Sequence, residues 1–291
     1  MNSYFFSICH LSFLVLILIL VPTSSGSDNE QYTSCRRPFE CANIRNLSYP
    51  FWGGSRPQYC GHPNFGLNCT NQAPQITINS IPYRVLSIDY PTKTLTVARA
   101  EFWNNPCPSP TTLYKNATLD GAPFAYSNDS QDMIILFGCQ ALPGVTLDNQ
   151  FSCTNDGTTT ASYFIITSGG GEVSNGFGTF IPGCNSSVVV RFNQTAALGL
   201  ADARPSYIYV KRVLDSGFGL RWDANDPICS GCAQSGGVCG SDSGSGFSCY
   251  CSDKVYPVAC NSTRGGSGMC FSSLVFTCVL LKTWAKLEVV H

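Results

Sequence analysis

Residues 83–98 read YRVLSIDYPTKTLTVA. Leu86, Ile88 and Tyr90 recur at period two, Pro91, Thr92 and Lys93 supply turn chemistry, and Leu95 and Val97 resume the alternation. This pattern predicts an antiparallel hairpin with one buried face. Outward from it, residues 76–78 (ITI) predict a further short strand, and residues 133–137, 162–167 and 188–192 carry the same signal. One stretch has helical period instead. In 205–216, Pro205 stands at the start, Tyr207, Val210, Val213 and Leu214 share a face, and Gly217 follows as a stop.

The compartment is read from cysteine. Seventeen of the 291 residues are Cys, whereas only three are His and charged residues are 12%. So many thiols suit an oxidising compartment, and the shortage of His removes most His-based catalysis and most zinc sites. Residues 11–21 (LSFLVLILILV) form an apolar run closed by Pro22, and Ser24 and Gly26 suit a signal-peptidase site. The expectation is therefore a signal peptide over 1–26, cleaved after Gly26, because the run is short for the ~20 residues that span a bilayer. Cleavage removes Cys9 and leaves sixteen cysteines. Seven N-x-[ST] sequons, at Asn46, Asn68, Asn116, Asn128, Asn185, Asn193 and Asn261, point to the same pathway.

Eight cysteines lie between 35 and 184: Cys35, Cys41, Cys60, Cys69, Cys107, Cys139, Cys153 and Cys184. Six more cluster as C-x2-C-x6-C-G-x8-C-x-C and beyond, at Cys229, Cys232, Cys239, Cys249, Cys251 and Cys260. With no His beside them, disulfides are expected rather than a metal, and no pairing follows from the spacing, since six cysteines allow 15 connectivities. The fold class expected is mainly β and disulfide-rich. It comprises two small extracellular modules, the second with one helix and a half-EGF-like cysteine cluster.

Charge is unevenly distributed. Residues 35–100 hold seven basic and two acidic side chains, a net +5, and residues 101–228 hold six and eleven, a net −5. The whole chain is at −1, which argues against a nucleic-acid partner. No catalytic or cofactor constellation emerges. The Gly169-Gly170-Gly171 run lacks the third glycine of G-x-G-x-x-G, where Ser174 stands, and no kinase motif occurs. Glu40 and Glu101 could pair only by a geometry that sequence does not give, and a triad would need His62, in a Cys-, Gly- and Pro-rich loop. The expectation is no enzyme, no cofactor and no metal.

Several motifs follow one another in fixed order. They are Cys35-x5-Cys41, Leu47-Ser48-Tyr49-Pro50-Phe51-Trp52-Gly53, then Arg56-Pro57-x-Tyr59-Cys60-Gly61-His62-Pro63-x-Phe65-x-Leu67-x-Cys69, then Tyr83-x-Val85-Leu86-x-Ile88 and Val97-Ala98-Arg99. This array resembles the galacturonan-binding extracellular domain of plant wall-associated receptor kinases. Within that family, the Phe51-Trp52-Gly53 and Cys60–Pro63 wording resembles the leaf rust 10 disease-resistance locus receptor-like kinases. Gly217-Phe218-x-Leu220-x-Trp222, Cys229-x2-Cys232-x2-Ser235-Gly236-Gly237-x-Cys239-Gly240 and Phe247-x-Cys249-x-Cys251 resemble the family's C-terminal wall-associated-kinase domain.

The resemblance implies a galacturonan-binding domain over 35–100 and a C-terminal associated domain over 138–252, with a divergent tail over 253–291 that lacks the kinase. The tail's apolar stretch, 271–281, is too short to span a bilayer. The implied partner is pectin, or an oligogalacturonide cut from it, at the extracellular face or in the cell wall. A co-receptor or peptide ligand of a soluble decoy is the alternative, and an apoplastic enzyme ranks last. Arginine forks match carboxylates bidentately and pyranose C–H faces pack on aromatic rings, so Arg36, Arg37, Arg45 and Arg56 with Trp52 and Tyr59 are the candidate binding residues. Enzymatic removal of N-glycans from plant-expressed protein should lower its apparent mass by several glycans, and an unchanged gel position would contradict export.

Overall fold

The structure, a computed structural model, describes residues 29–70, 72–109, 115–140, 149–155, 157–166, 183–200, 206–244 and 246–261. The signal-peptide run, the Gly169–Gly171 loop, Pro205 and the apolar stretch 271–281 lie outside the described residues.

The hairpin forms. Strand β6 (Ile81–Asp89) pairs antiparallel with β7 (Thr94–Arg99), and Lys93 closes the turn with φ +53°. The buried face is the expected one at Ile88, Tyr90, Leu95 and Val97 but not at Leu86. Val85 lies opposite Val97 but Ser87 opposite Thr96, so one extra residue is accommodated on β6. This bulge shifts the alternation. Tyr83 and Val85 are buried before it, Ile88 and Tyr90 pack on the same core after it, and Leu86 is displaced toward Gly217.

Seven strands join into one sheet. Its order is β3 (Trp52–Gly53), β4 (Gly66–Asn68), β5 (Gln75–Ile78), β6, β7, β13 (Phe218–Trp222) and β8 (Phe124–Tyr126). The Phe218-x-Leu220-x-Trp222 motif thus completes a sheet begun more than a hundred residues earlier, with Phe218 opposite Val97 and Leu220 opposite Leu95. All three side chains are buried in the core that holds Phe51, Phe65, Tyr83 and Val97.

A second sheet runs β10 (Gln150–Asn155), β11 (Thr158–Ile166), β9 (Ser130–Cys139) and β12 (Ser186–Asn193). These strands hold the three alternating segments read from sequence. Helix α3 (Ser206–Ser216) lays Val210, Val213 and Leu214 on this sheet's core beside Met133, Ile135, Val190 and Phe192. The link between the sheets is Gly217. At φ +69° its Cβ would overlap the Val97 carbonyl oxygen, and its own carbonyl accepts from Asn193 N at 3.0 Å.

One helix was expected, and the described residues hold more. α1 (Glu30–Arg36) is capped by Asn29, whose side chain accepts from Gln31 N at 2.9 Å. α2 (Gln194–Leu198) is capped by Asn193. α4 (Asp226–Gln234) lies inside the cysteine cluster. It carries Cys229 and Cys232 at helical spacing, bonded to Cys239 on β14 (Val238–Ser241) and Cys249 on β15 (Phe247–Tyr250). A polar or cysteine-rich helix fixed by crosslinks shows no apolar period, which is why periodicity missed it. β16 (Val255–Tyr256) completes this three-stranded unit, and Cys251–Cys260 closes it.

The remaining pairs are Cys35–Cys60, Cys41–Cys69, Cys107–Cys153 and Cys139–Cys184. Each native bridge in a small unit typically contributes ~2–4 kcal/mol. No helix among the described residues is long and apolar enough to cross a membrane.

Gly217→Ala should lower stability by about 2 kcal/mol or more, through both backbone strain and the clash with β7. Gly121, also at positive φ but with open space around it, is the control. Equal thermal shifts for the two alanine variants would mean that close packing at Gly217 is unimportant.

Candidate functional site

The basic residues of 35–100 divide into locked and free. Arg56 is only 5% exposed. Its guanidinium donates from Nη1 to the Arg37 carbonyl at 2.7 Å and from Nη2 to the Cys60 carbonyl at 3.1 Å, and it sits over the Phe39 ring. Burial pulls its pKa below the ordinary arginine value. Arg56 is therefore a clamp between two stretches of backbone and, unlike the other candidate arginines, presents little surface. The two carbonyls take a donor from each Nη, whereas Nε is buried with no hydrogen-bond partner among the described residues.

Arg99 is likewise buried and pairs with Glu101 through Oε1, while Glu101 Oε2 is buried with no hydrogen-bond partner among the described residues. Arg84 stacks on Trp103 at 4.5 Å, and Lys93 pairs with Asp226 at 3.1 Å. The +5 of the segment overstates the charge that a ligand would meet.

Arg36, Arg37 and Arg45 are exposed. Arg36 ends α1 and lies 5.7 Å from the Tyr32 ring centroid. No carboxylate pairs with Arg36 or Arg37 among the described residues. Arg45, on β2 (Ile44–Leu47), is 3.9 Å from Glu40, with side chains 78% and 66% exposed, so solvent screens that pair. Cys35–Cys60, with Cα atoms 4.9 Å apart, brings Arg36 and Arg37 beside the turn that carries Tyr59. Arg45 lies on a separate two-stranded ribbon, β1 (Phe39–Cys41) with β2, stapled by Cys41–Cys69.

Trp52 is half-buried and fixed. Its Nε1 donates to the His62 carbonyl at 2.9 Å, and its ring lies against Gly61 and Gly66, where any Cβ would collide with it. His62 accepts from Asn64 N at 3.3 Å and packs edge-on to Phe65, and burial lowers its pKa. Those contacts place it at the start of the Pro63–Phe65 turn.

Tyr59 is half-buried and meets Tyr250 edge-on, ring centroids 5.9 Å apart. The C-terminal cysteine unit thus docks on the N-terminal one. Tyr250 donates to the Ser241 carbonyl at 2.7 Å, and burial holds its pKa up at about 12, with smaller contributions from Tyr59 and Asp242. Asn29 N donates to the Ser252 carbonyl, Tyr49 donates to the Ala224 carbonyl at 2.6 Å, and Tyr49 meets Phe247 edge-on. Between the two units lies a cleft of about 640 Å³, whose walls include Gln31, Gln58, Tyr59, Asp242, Ser243 and Tyr250. Sequence reasoning singled out Tyr59 and missed the opposite wall, because nothing in the spacing of Ser241–Tyr250 reports what it packs against.

Residues 35–99 match the family described as wall-associated receptor kinase galacturonan-binding, and residues 152–254 match wall-associated receptor kinase C-terminal. Among curated relatives, leaf rust 10 disease-resistance locus receptor-like protein kinase-like 2.1 of Arabidopsis thaliana is 26% identical over 293 residues, covering 96% of this chain and 44% of the relative. Kinase-like 2.5 of the same organism is 29% identical over 256 residues, 82% of this chain and 37% of the relative. Kinase-like 2.4 is 33% identical over 166 residues, 52% and 26%. The chain spans less than half the length of these relatives, and its matched families are those of the receptor's extracellular region. No solved structure matches it.

Arg56→Leu should destabilise the fold by about 2–4 kcal/mol, because the Arg37 and Cys60 carbonyls lose their donors. Arg36→Ala should fall within about 0.5 kcal/mol of wild type. Chemical denaturation compares them, and similar midpoints would contradict the clamp.

Proposed function

We propose that this chain, which is similar to the extracellular region of wall-associated receptor kinases, binds de-esterified galacturonan. The observation that carries the proposal is the exposure of Arg36 and Arg37, free of carboxylate partners among the described residues, within the segment matched to galacturonan binding. Each guanidinium offers a planar donor fork to a uronate carboxylate. Trp52 and Tyr59, held by a backbone carbonyl and by Tyr250, offer ring surface with little rotamer freedom to lose. Arg45 adds a third exposed cation, and its neighbour Asn46 is a sequon whose glycan would crowd that edge.

The chain acts as a recognition module in the secretory pathway, at the wall or the outer face of the plasma membrane. Its role is binding, and kinase activity belongs to what the relatives' names describe.

Arg36→Glu with Arg37→Glu should weaken binding to de-esterified oligogalacturonide at least tenfold, about 1.4 kcal/mol. The control changes equal charge elsewhere. Lys211 is unsuitable because it holds Asp215 at 2.7 Å and Asn104 at 2.9 Å, so the exposed Arg212 and Arg221 are reversed instead. Affinity should also fall with salt and with methyl-esterification. Equal losses from the two double variants, or equal binding to esterified and free chains, would overturn the reading.

A further inference from the structure

We propose that the cleft between the two cysteine-stapled ends is a second carbohydrate site, one that takes an uncharged, hydroxyl-rich pyranose rather than a uronate. Its volume, about 640 Å³, is in the range of small-ligand sites. The side chains of Gln31, Gln58, Tyr59, Ser243 and Ser248 line it and hydrogen-bond no other described group. They offer paired donors and acceptors, the complement of vicinal sugar hydroxyls.

The walls are built before any ligand arrives. Cys35–Cys60 and the Tyr59–Tyr250 contact fix one side, and the Tyr250 hydroxyl on Ser241 fixes the other. Gly240 has no room for a Cβ against the Tyr59 carbonyl oxygen and the Tyr250 ring, so the two walls meet in close register. Such preorganisation lowers the ordering cost of binding.

Charge decides the ligand class. Among the described residues neither Lys nor Arg lines the cleft, and its one carboxylate is Asp242, which accepts from Gly244 N at 2.9 Å and Gly246 N at 2.7 Å. A fixed carboxylate repels uronates and accepts from hydroxyls. A peptide is less well matched, because the described lining, which also includes Pro63 and Val255, holds no Arg or Trp of the kind that dominates such interfaces. None of the seven sequon asparagines lines the cleft. The cleft shares Tyr59 with the proposed galacturonan surface but none of its arginines.

The test uses the full secreted protein and a panel of uncharged tetrasaccharides of galactose, glucose, mannose and xylose, read by saturation-transfer NMR and calorimetry. At least one should bind saturably with an affinity insensitive to salt. The exposed pair Gln58→Ala and Ser243→Ala should weaken it about tenfold, as expected for two lost hydrogen bonds, with the thermal midpoint unchanged. Arg36→Glu with Arg37→Glu should leave it intact, even if acidic oligogalacturonide binding fails for other reasons. Absence of saturable binding across the panel would overturn the proposal. So would neutral-sugar binding lost with the arginines but retained in the cleft variant.

Discussion

The pairing of β13 with β7 is the constraint on which the molecule depends. Phe218, Leu220 and Trp222 extend the N-terminal sheet and fill its core, so the chain cannot be divided between its basic and acidic segments. Gly217 makes the pairing possible by ending α3 in a left-handed turn and bringing backbone against Val97. From Trp222 the chain runs into α4 and the cysteine unit, with Ala224 accepting from Tyr49 on the way. The β-ladder therefore sets the position from which the C-terminal unit reaches the Tyr59 turn, and the crosslinks within each unit keep that meeting surface in shape.

The electrostatics follow from the same packing. Net charge describes a segment, whereas recognition depends on which charges remain uncommitted. Arg56 and Arg99 are consumed in holding backbone and Glu101, and Arg84 in stacking on Trp103. What survives at the surface is local: Arg36 and Arg37 next to the Cys35–Cys60 bridge, with Arg45 on its own ribbon. The adjacent cleft has the opposite character, neutral except for Asp242.

Much of the fold was legible where side-chain alternation faces a single core. The β6–β7 hairpin, three of the four strands of the second sheet (β9, β11 and β12) and helix α3 came from period together with turn and cap residues, whereas β10 was not read. The bulge at Leu86 was not legible, because accommodating one extra residue costs no change in composition. α1 and α4 were hidden for a different reason: their stability comes from Cys35, Cys229 and Cys232 rather than an apolar stripe. At the site, sequence identified exposed arginines and fixed aromatics, but it could not separate Arg56 from Arg37. Both stand in polar, Pro-flanked loops, and only the long-range fold determines that one guanidinium points into the Arg37 and Cys60 carbonyls.

The proposal is positional: an acidic wall polysaccharide would meet the exposed Arg36 and Arg37 edge beside the Cys35–Cys60 bridge. Backbone amide shifts of the isotopically labelled protein, followed through titration with de-esterified oligogalacturonide, test it most directly. The account predicts saturable perturbations centred on Arg36, Arg37, Trp52 and Tyr59, with the β9–β12 sheet unaffected. Perturbations centred on that second sheet, or none at a saturating concentration, would contradict it.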